Sequence, residues 1–193
     1  MLDARPRLFF DYVDPGSYLM DLRVERAAAG VGQPVERVPF ELRPPPGELV
    51  APDDPAWLAY WSDMAEPLRD EGVPVRRPDL VPWTRKAHEL VLHAHEKGDG
   101  GDLHRTLFRQ YLEEGVDIGR VDVLLQLATR AGLDATETKA VLDVDRHAEG
   151  VEQVRRDALA RGVRGVPTLA LGERILEGVH DDEVIRAFLR EQP

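Results

Sequence analysis

The sequence predicts an α/β fold whose two halves are separated by a large all-helical insertion. Three observations lead there. Residues 7–42 read as strand, helix, strand; residues 145–189 read as helix, strand, strand, helix; and residues 57–142 repeat their apolar positions at helical spacing. The run RLFFDYV at 7–13 is short and rich in aromatic residues, which suits a buried strand better than a helix. Asp14-Pro15-Gly16-Ser17 ends it. From Pro15 the residues Tyr18, Leu19, Leu22, Val24 and Ala27 to Ala29 trace a helix with Asp14 as its N-cap, closed at Gly30-Val31-Gly32. Residues 35–42 alternate apolar with polar and predict a second strand. Pro39 within it lacks an N–H, which asks for an edge position or a bulge.

Arg43-Pro44-Pro45-Pro46-Gly47 marks a boundary, because consecutive prolines remove backbone donors and favour an extended connector. Beyond it, helices are expected over 57–68, 83–96, 103–113, 121–131 and 136–142, with a proline-punctuated loop over 73–82. A long helix is expected over 145–161, ended by Gly162. A strand over 166–171, a turn at Gly172-Glu173, a return strand over 174–177 and a final amphipathic helix from Asp181 or Asp182 complete the chain. The outer segments, 1–43 and 146–193, have the element order of the two halves of a thioredoxin-like fold. Residues 44–145 form a helical insertion subdomain long enough to make its own layer.

Composition narrows the functions open to such a fold. Of 193 residues, 36 are acidic and 25 basic, and the net charge of -11 disfavours nucleic acid and anionic membrane surfaces as partners. No run approaches the ~20 apolar residues of a membrane span, and MLDARPRLFF lacks the apolar segment of a signal peptide. A cytoplasmic location is expected. There is no cysteine, which excludes disulfides, thiolate ligands and thiol nucleophiles together.

Five segments, in order, carry a resemblance. Phe10 to Tyr18 (FDYVDPGSY) resembles the strand and active-site turn of the DsbA family of disulfide oxidoreductases, in particular its FrnE-like branch, where the strand runs into Cys-Pro-x-Cys-Tyr. Phe40-Glu41-Leu42-Arg43-Pro44 is similar to the second-strand signature of that branch. Ala87 to Leu90 (AHEL) and Leu107 to Ile118 (LFRQYLEEGVDI) resemble its helical insertion, and Gly162 to Thr168 (GVRGVPT) resembles the cis-proline loop that faces the turn. Asp14 and Ser17 fill the two cysteine slots. The same family includes 2-hydroxychromene-2-carboxylate isomerases and kappa-class glutathione transferases, whose turn resembles Ser-Pro-x-Ser-Tyr.

The resemblance implies a cleft between Asp14 to Tyr18 and Val166 to Thr168. Asp14 and Ser17 are its candidate reactive groups, and Tyr12, Pro15, Tyr18, Val166, Pro167 and Thr168 are its candidate substrate contacts. Asp14 is open to two readings: a functional carboxylate stabilised by the helix N-terminus, or a plain helix cap. With thiol chemistry gone, the expected ligand is a peptide or small molecule held beside Pro167, where a cis bond would present the Val166 backbone to an extended chain. The alternative is a glutathione-dependent isomerase or transferase. It meets an obstacle, since a bound thiolate needs a donor and two anions ~4 Å apart repel by about 4 kcal/mol at an effective dielectric of ~20. A homodimer is compatible with either reading. No metal site is expected: His88 and His93 are five apart where a zinc motif needs four, and His88 and His95 share a face without an evident third ligand.

Overall fold

The computed structural model describes residues 5–98 and 100–190. The chain divides into two compact units, Met1–Leu42 with Val154–Pro193, and Arg43–Gln153.

The first unit starts with β1 (Arg7–Phe10). This strand stops short of residue 13 because the backbone turns, with the Asp14 amide donating to the Asp11 carbonyl at 3.2 Å. α1 (Pro15–Val31) follows, and Gly32 ends it in the left-handed region (φ 74°), returning its N–H to the Ala28 carbonyl at 2.8 Å. β2 (Glu36–Pro39) is shorter than the alternation over 35–42. It pairs parallel with β1 and lies at the edge of the sheet. The Phe40 amide donates to Phe10 at 2.9 Å, so the alternate position, Pro39, directs its missing donor outward, where no ladder bond is lost.

The helical unit begins after the prolines. In chain order it holds α2 (Pro55–Asp70), α3 (Arg85–Lys97), α4 (Gly100–Leu112), α5 (Val121–Arg130) and α6 (Ala135–Asp143). α3 packs against α4, α5 and α6, burying Ala87, Leu90 and Ala94 at helical spacing. Asp54 and Asp134 cap α2 and α6 by accepting the amides of Trp57 and Glu137 at 2.9 and 2.7 Å.

α7 (Ala148–Ala160) starts three residues later than the pattern over 145–161, because Asp145 adopts a positive φ of 54° and breaks the helix there. One compact unit ends at Gln153 and the other resumes at Val154, inside α7. β3 (Thr168–Leu171), β4 (Arg174–Glu177) and α8 (Asp182–Arg190) complete the first unit. The sheet order is β2-β1-β3-β4, with β3 antiparallel to both its neighbours.

The period-two alternation of β1 sorts the core. Leu8 joins Leu169 and Leu171 against Met20, Val24 and Ala27 of α1 and Ile185, Phe188 and Leu189 of α8. Phe9 joins Val38 and Phe40 on the opposite face, against Ala158 of α7 and Val163. α1 is further tied to α8 by a two-pronged Arg26–Asp182 ion pair, with contacts of 2.9 and 3.1 Å. Among the described residues no helix is long and apolar enough to cross a membrane.

Candidate functional site

The first turn of α1 is built around one carboxylate. Asp14 sits at the N-cap in an extended conformation (φ -96°, ψ 111°), with Pro15 supplying a helical φ in the first turn. Its Oδ2 accepts the Ser17 backbone N–H at 2.6 Å and the Ser17 hydroxyl at 2.5 Å. Ser17 Oγ in turn accepts the Asp11 N–H at 3.3 Å, and Asp11 Oδ2 accepts the Leu42 N–H at 2.8 Å. The network therefore joins the ends of β1 and β2 to the start of α1. Asp11, Asp14 and Ser17 are all buried. A serine hydroxyl has one proton, and here it is committed to Asp14.

Tyr12 is fully buried, with its ring edge-on to Phe10 at 5.1 Å. Burial raises its phenol well above the ordinary value, and the negative charges of Asp21 and Asp11 raise it further, so the hydroxyl stays protonated. Asp21 is held by the Arg37 guanidinium at 2.8 Å. Pro15 and Tyr18 are buried as well.

The second wall lies ahead of β3. The Val166–Pro167 peptide bond is cis. Pro167 and Thr168 are buried and Val166 is half-buried. Thr168 Oγ1 donates to the Gly165 carbonyl at 2.7 Å, and the Pro167 carbonyl accepts the Gly178 amide at 2.8 Å. Among the described residues the Val166 amide and carbonyl enter no backbone hydrogen bond. The antiparallel register sets Phe9 opposite Thr168, so the turn after β1 and the cis-proline loop before β3 lie at the same end of the sheet. That register brings the two sequence-distant halves of the candidate site together.

Sequence reasoning gave Asp11, Glu41 and Arg155 no role at the site, although the first two lie inside the FDYVDPGSY and FELRP segments. Glu41 is completely buried, and its carbonyl accepts Arg155 Nε at 2.7 Å while the Arg155 guanidinium lies 5.3 Å from the Phe40 ring centre. His88 is buried and His95 exposed, and it is His93 that approaches another histidine, His147, with ring centres 6.3 Å apart.

A cis-proline loop set beside the N-terminus of the first helix, on a sheet of order β2-β1-β3-β4, defines a thioredoxin-fold protein. The model of the DSBA-like thioredoxin domain matches residues 7–190, and the chain belongs to that family. It is 27% identical over 191 residues to the Bacillus subtilis (strain 168) protein YwbO, described as uncharacterized, covering 96% of each chain. Its fold is similar to that of SCO1869 from Streptomyces coelicolor, described as a probable DsbA oxidoreductase, with a TM-score of 0.84 and 25% identity over 98% of this chain and 92% of that one. It is also similar to 2-hydroxychromene-2-carboxylate isomerase, with a TM-score of 0.76 and 19% identity over 95% of this chain and 91% of that one.

Proposed function

We propose that this chain is a redox-inactive, cytoplasmic member of the DSBA-like family that binds an extended peptide or a small molecule beside Pro167. Thiol-disulfide exchange needs an attacking cysteine thiolate, and the chain has no cysteine. The observation that carries the binding role is Val166, half-buried next to a cis-proline with its backbone donor and acceptor outside the internal hydrogen-bond pattern. An extended ligand satisfies such a pair by strand-like addition, with Pro15 and Tyr18 at the facing turn. The absence of cysteine fits a reducing compartment.

Glutathione-dependent isomerisation is the competing reading, supported by the likeness to 2-hydroxychromene-2-carboxylate isomerase. The Asp14–Ser17 pair weighs against it. The only hydroxyl in the turn's two cysteine slots already donates to Asp14, and a thiolate arriving there would face a carboxylate instead of a donor.

Titration of isotopically labelled protein with a mixture of short unstructured peptides tests the proposal. Saturable shifts of the Val166 and Thr168 amides are expected, with millimolar glutathione leaving them in place. The proposal fails if the protein reduces insulin in the presence of a small thiol, or if glutathione alone produces the saturable response.

A further inference from the structure

α3 presents Glu89, His93 and Glu96 on one face, at spacings of four and three residues. The turn that follows α6 is fastened to this face at several points. Lys86, one turn before Glu89, donates to the Leu142 carbonyl and pairs with Asp145, and its Nζ lies 3.1 Å from Glu89 Oε1. Glu89 Oε2 accepts the His147 backbone N–H at 3.2 Å. These contacts, with the positive φ of Asp145, bring the His147 side chain over the last turns of α3.

The result is a cluster of three donors. His93, Glu96 and His147 each offer a ligand atom, and these atoms lie within 4.8 Å of one another. The His147 Nε2 to Glu96 Oε2 distance is 3.6 Å. Tetrahedral zinc with bonds of 2.0–2.1 Å sets its ligands ~3.4 Å apart, so that pair needs almost no movement. Two ring nitrogens of the cluster have no hydrogen-bond partner among the described residues: Nδ1 of His93, which is 1% exposed, and Nε2 of His147, whose side chain is 12% exposed. Leaving a buried imidazole nitrogen unsatisfied is costly, and a bound cation removes that cost. Lys97, next to Glu96 in the chain, is itself paired with Glu137 at 2.6 Å.

The geometry points to a mononuclear site for a divalent transition-metal ion of the zinc class at His93, Glu96 and His147. Two imidazoles and a carboxylate are a donor set suited to zinc, and three protein ligands leave a tetrahedral ion one position for water or an exogenous ligand. Glu89 and Lys86 act as positioning residues that hold the His147 backbone against α3. The site is independent of the cleft beside Pro167, and neither reading depends on the other.

Calorimetric titration of the untagged, chelator-treated full chain with Zn2+ tests the assignment. One saturable equivalent is expected, together with a zinc-dependent rise in Tm. Glu96→Gln and His147→Gln should each weaken binding by at least the ~10-fold that loss of a supporting partner costs, while Glu183→Gln, which removes an exposed carboxylate of α8, should leave it unchanged. Both variants replace partly exposed side chains, and circular dichroism checks that they fold. Co2+ added in place of Zn2+ should give visible absorption that both variants lose. Absence of a saturable equivalent in the wild type, or zinc binding unchanged in Glu96→Gln and His147→Gln, overturns the site.

Discussion

Ser17 gives both of its hydrogen-bond donors, the backbone N–H at 2.6 Å and the hydroxyl at 2.5 Å, to a single oxygen of Asp14. Asp14 is thus a helix cap before it is anything else, and removing it should cost stability. Asp14→Ala is expected to destabilise the fold by about 1–2 kcal/mol, the upper range for a cap, because the Ser17 hydroxyl is stranded at the same time. Asp14→Asn, which keeps an acceptor oxygen, should cost less. Urea unfolding of the three proteins orders them, and an Asp14→Ala midpoint equal to wild type would remove the cap from the account.

The same two positions allow a gain-of-function test. Asp14→Cys combined with Ser17→Cys recreates a Cys-Pro-Gly-Cys turn at a helix N-terminus, where the first thiol is favoured as thiolate. The double variant should form an intramolecular disulfide and acquire measurable insulin reductase activity, whereas wild type and each single variant remain inert. Activity in the wild type would contradict the redox-inactive assignment. A double variant that forms its disulfide yet stays inactive would show that the residues around the turn no longer support exchange.

These tests are possible because the sequence made the turn legible, and the reasons are local. A cap at Asp14, a proline after it, a left-handed glycine at 32 and the hairpin at Gly172 each leave a residue-level signature. Pro39 asked for an edge position or a bulge for the same kind of reason. What stayed hidden depends on pairing across the sheet or between helices. Asp11 looks like one more strand residue until β1 and β2 align and bring the Leu42 amide to its carboxylate. The helical pattern over 145–161 gave no sign that Asp145 would take a positive φ and turn His147 toward His93. A spacing rule for zinc ligands on one helix cannot find a ligand that arrives from a different element.

The clamp between α1 and α8 predicts a response to acid. The Arg26 hydrogen bonds hold the Asp182 carboxyl below its ordinary value of 3.8, partial burial opposes this, and the charges of Arg26, Arg186 and Arg23 reinforce it. A depressed native pKa means that the contribution is present above the unfolded value and is lost as pH falls through the lower native one. The pair is partly exposed, so its worth is at most about 1 kcal/mol and shrinks in high salt. A double-mutant cycle of Arg26→Met and Asp182→Asn should show this coupling at pH 7 and lose it near pH 2. A coupling independent of pH would mean that packing, not charge, links the helices.

Tyr12 predicts the opposite end of the pH range. Burial, followed by the charges of Asp21 and Asp11, keeps its native phenol pKa well above 10.0. In the unfolded chain the same phenol ionises near the ordinary value, so between the two pKa values the native state holds a proton that the unfolded state has released. Its stabilising contribution is complete below pH 10 and declines as pH rises beyond it, by up to about 1.4 kcal/mol per pH unit from this one group. Tyr12→Phe isolates this group: the variant removes this phenol from the linkage without removing the ring that packs edge-on to Phe10. Urea midpoints measured from pH 8 to 11 should therefore fall more steeply for wild type than for Tyr12→Phe. Alkaline difference spectra should show one phenol that ionises above the ordinary range in wild type and is missing from the variant. Parallel slopes would place the Tyr12 hydroxyl in contact with solvent in the native state, and would require the turn between β1 and α1 to be far more open than its hydrogen bonds describe.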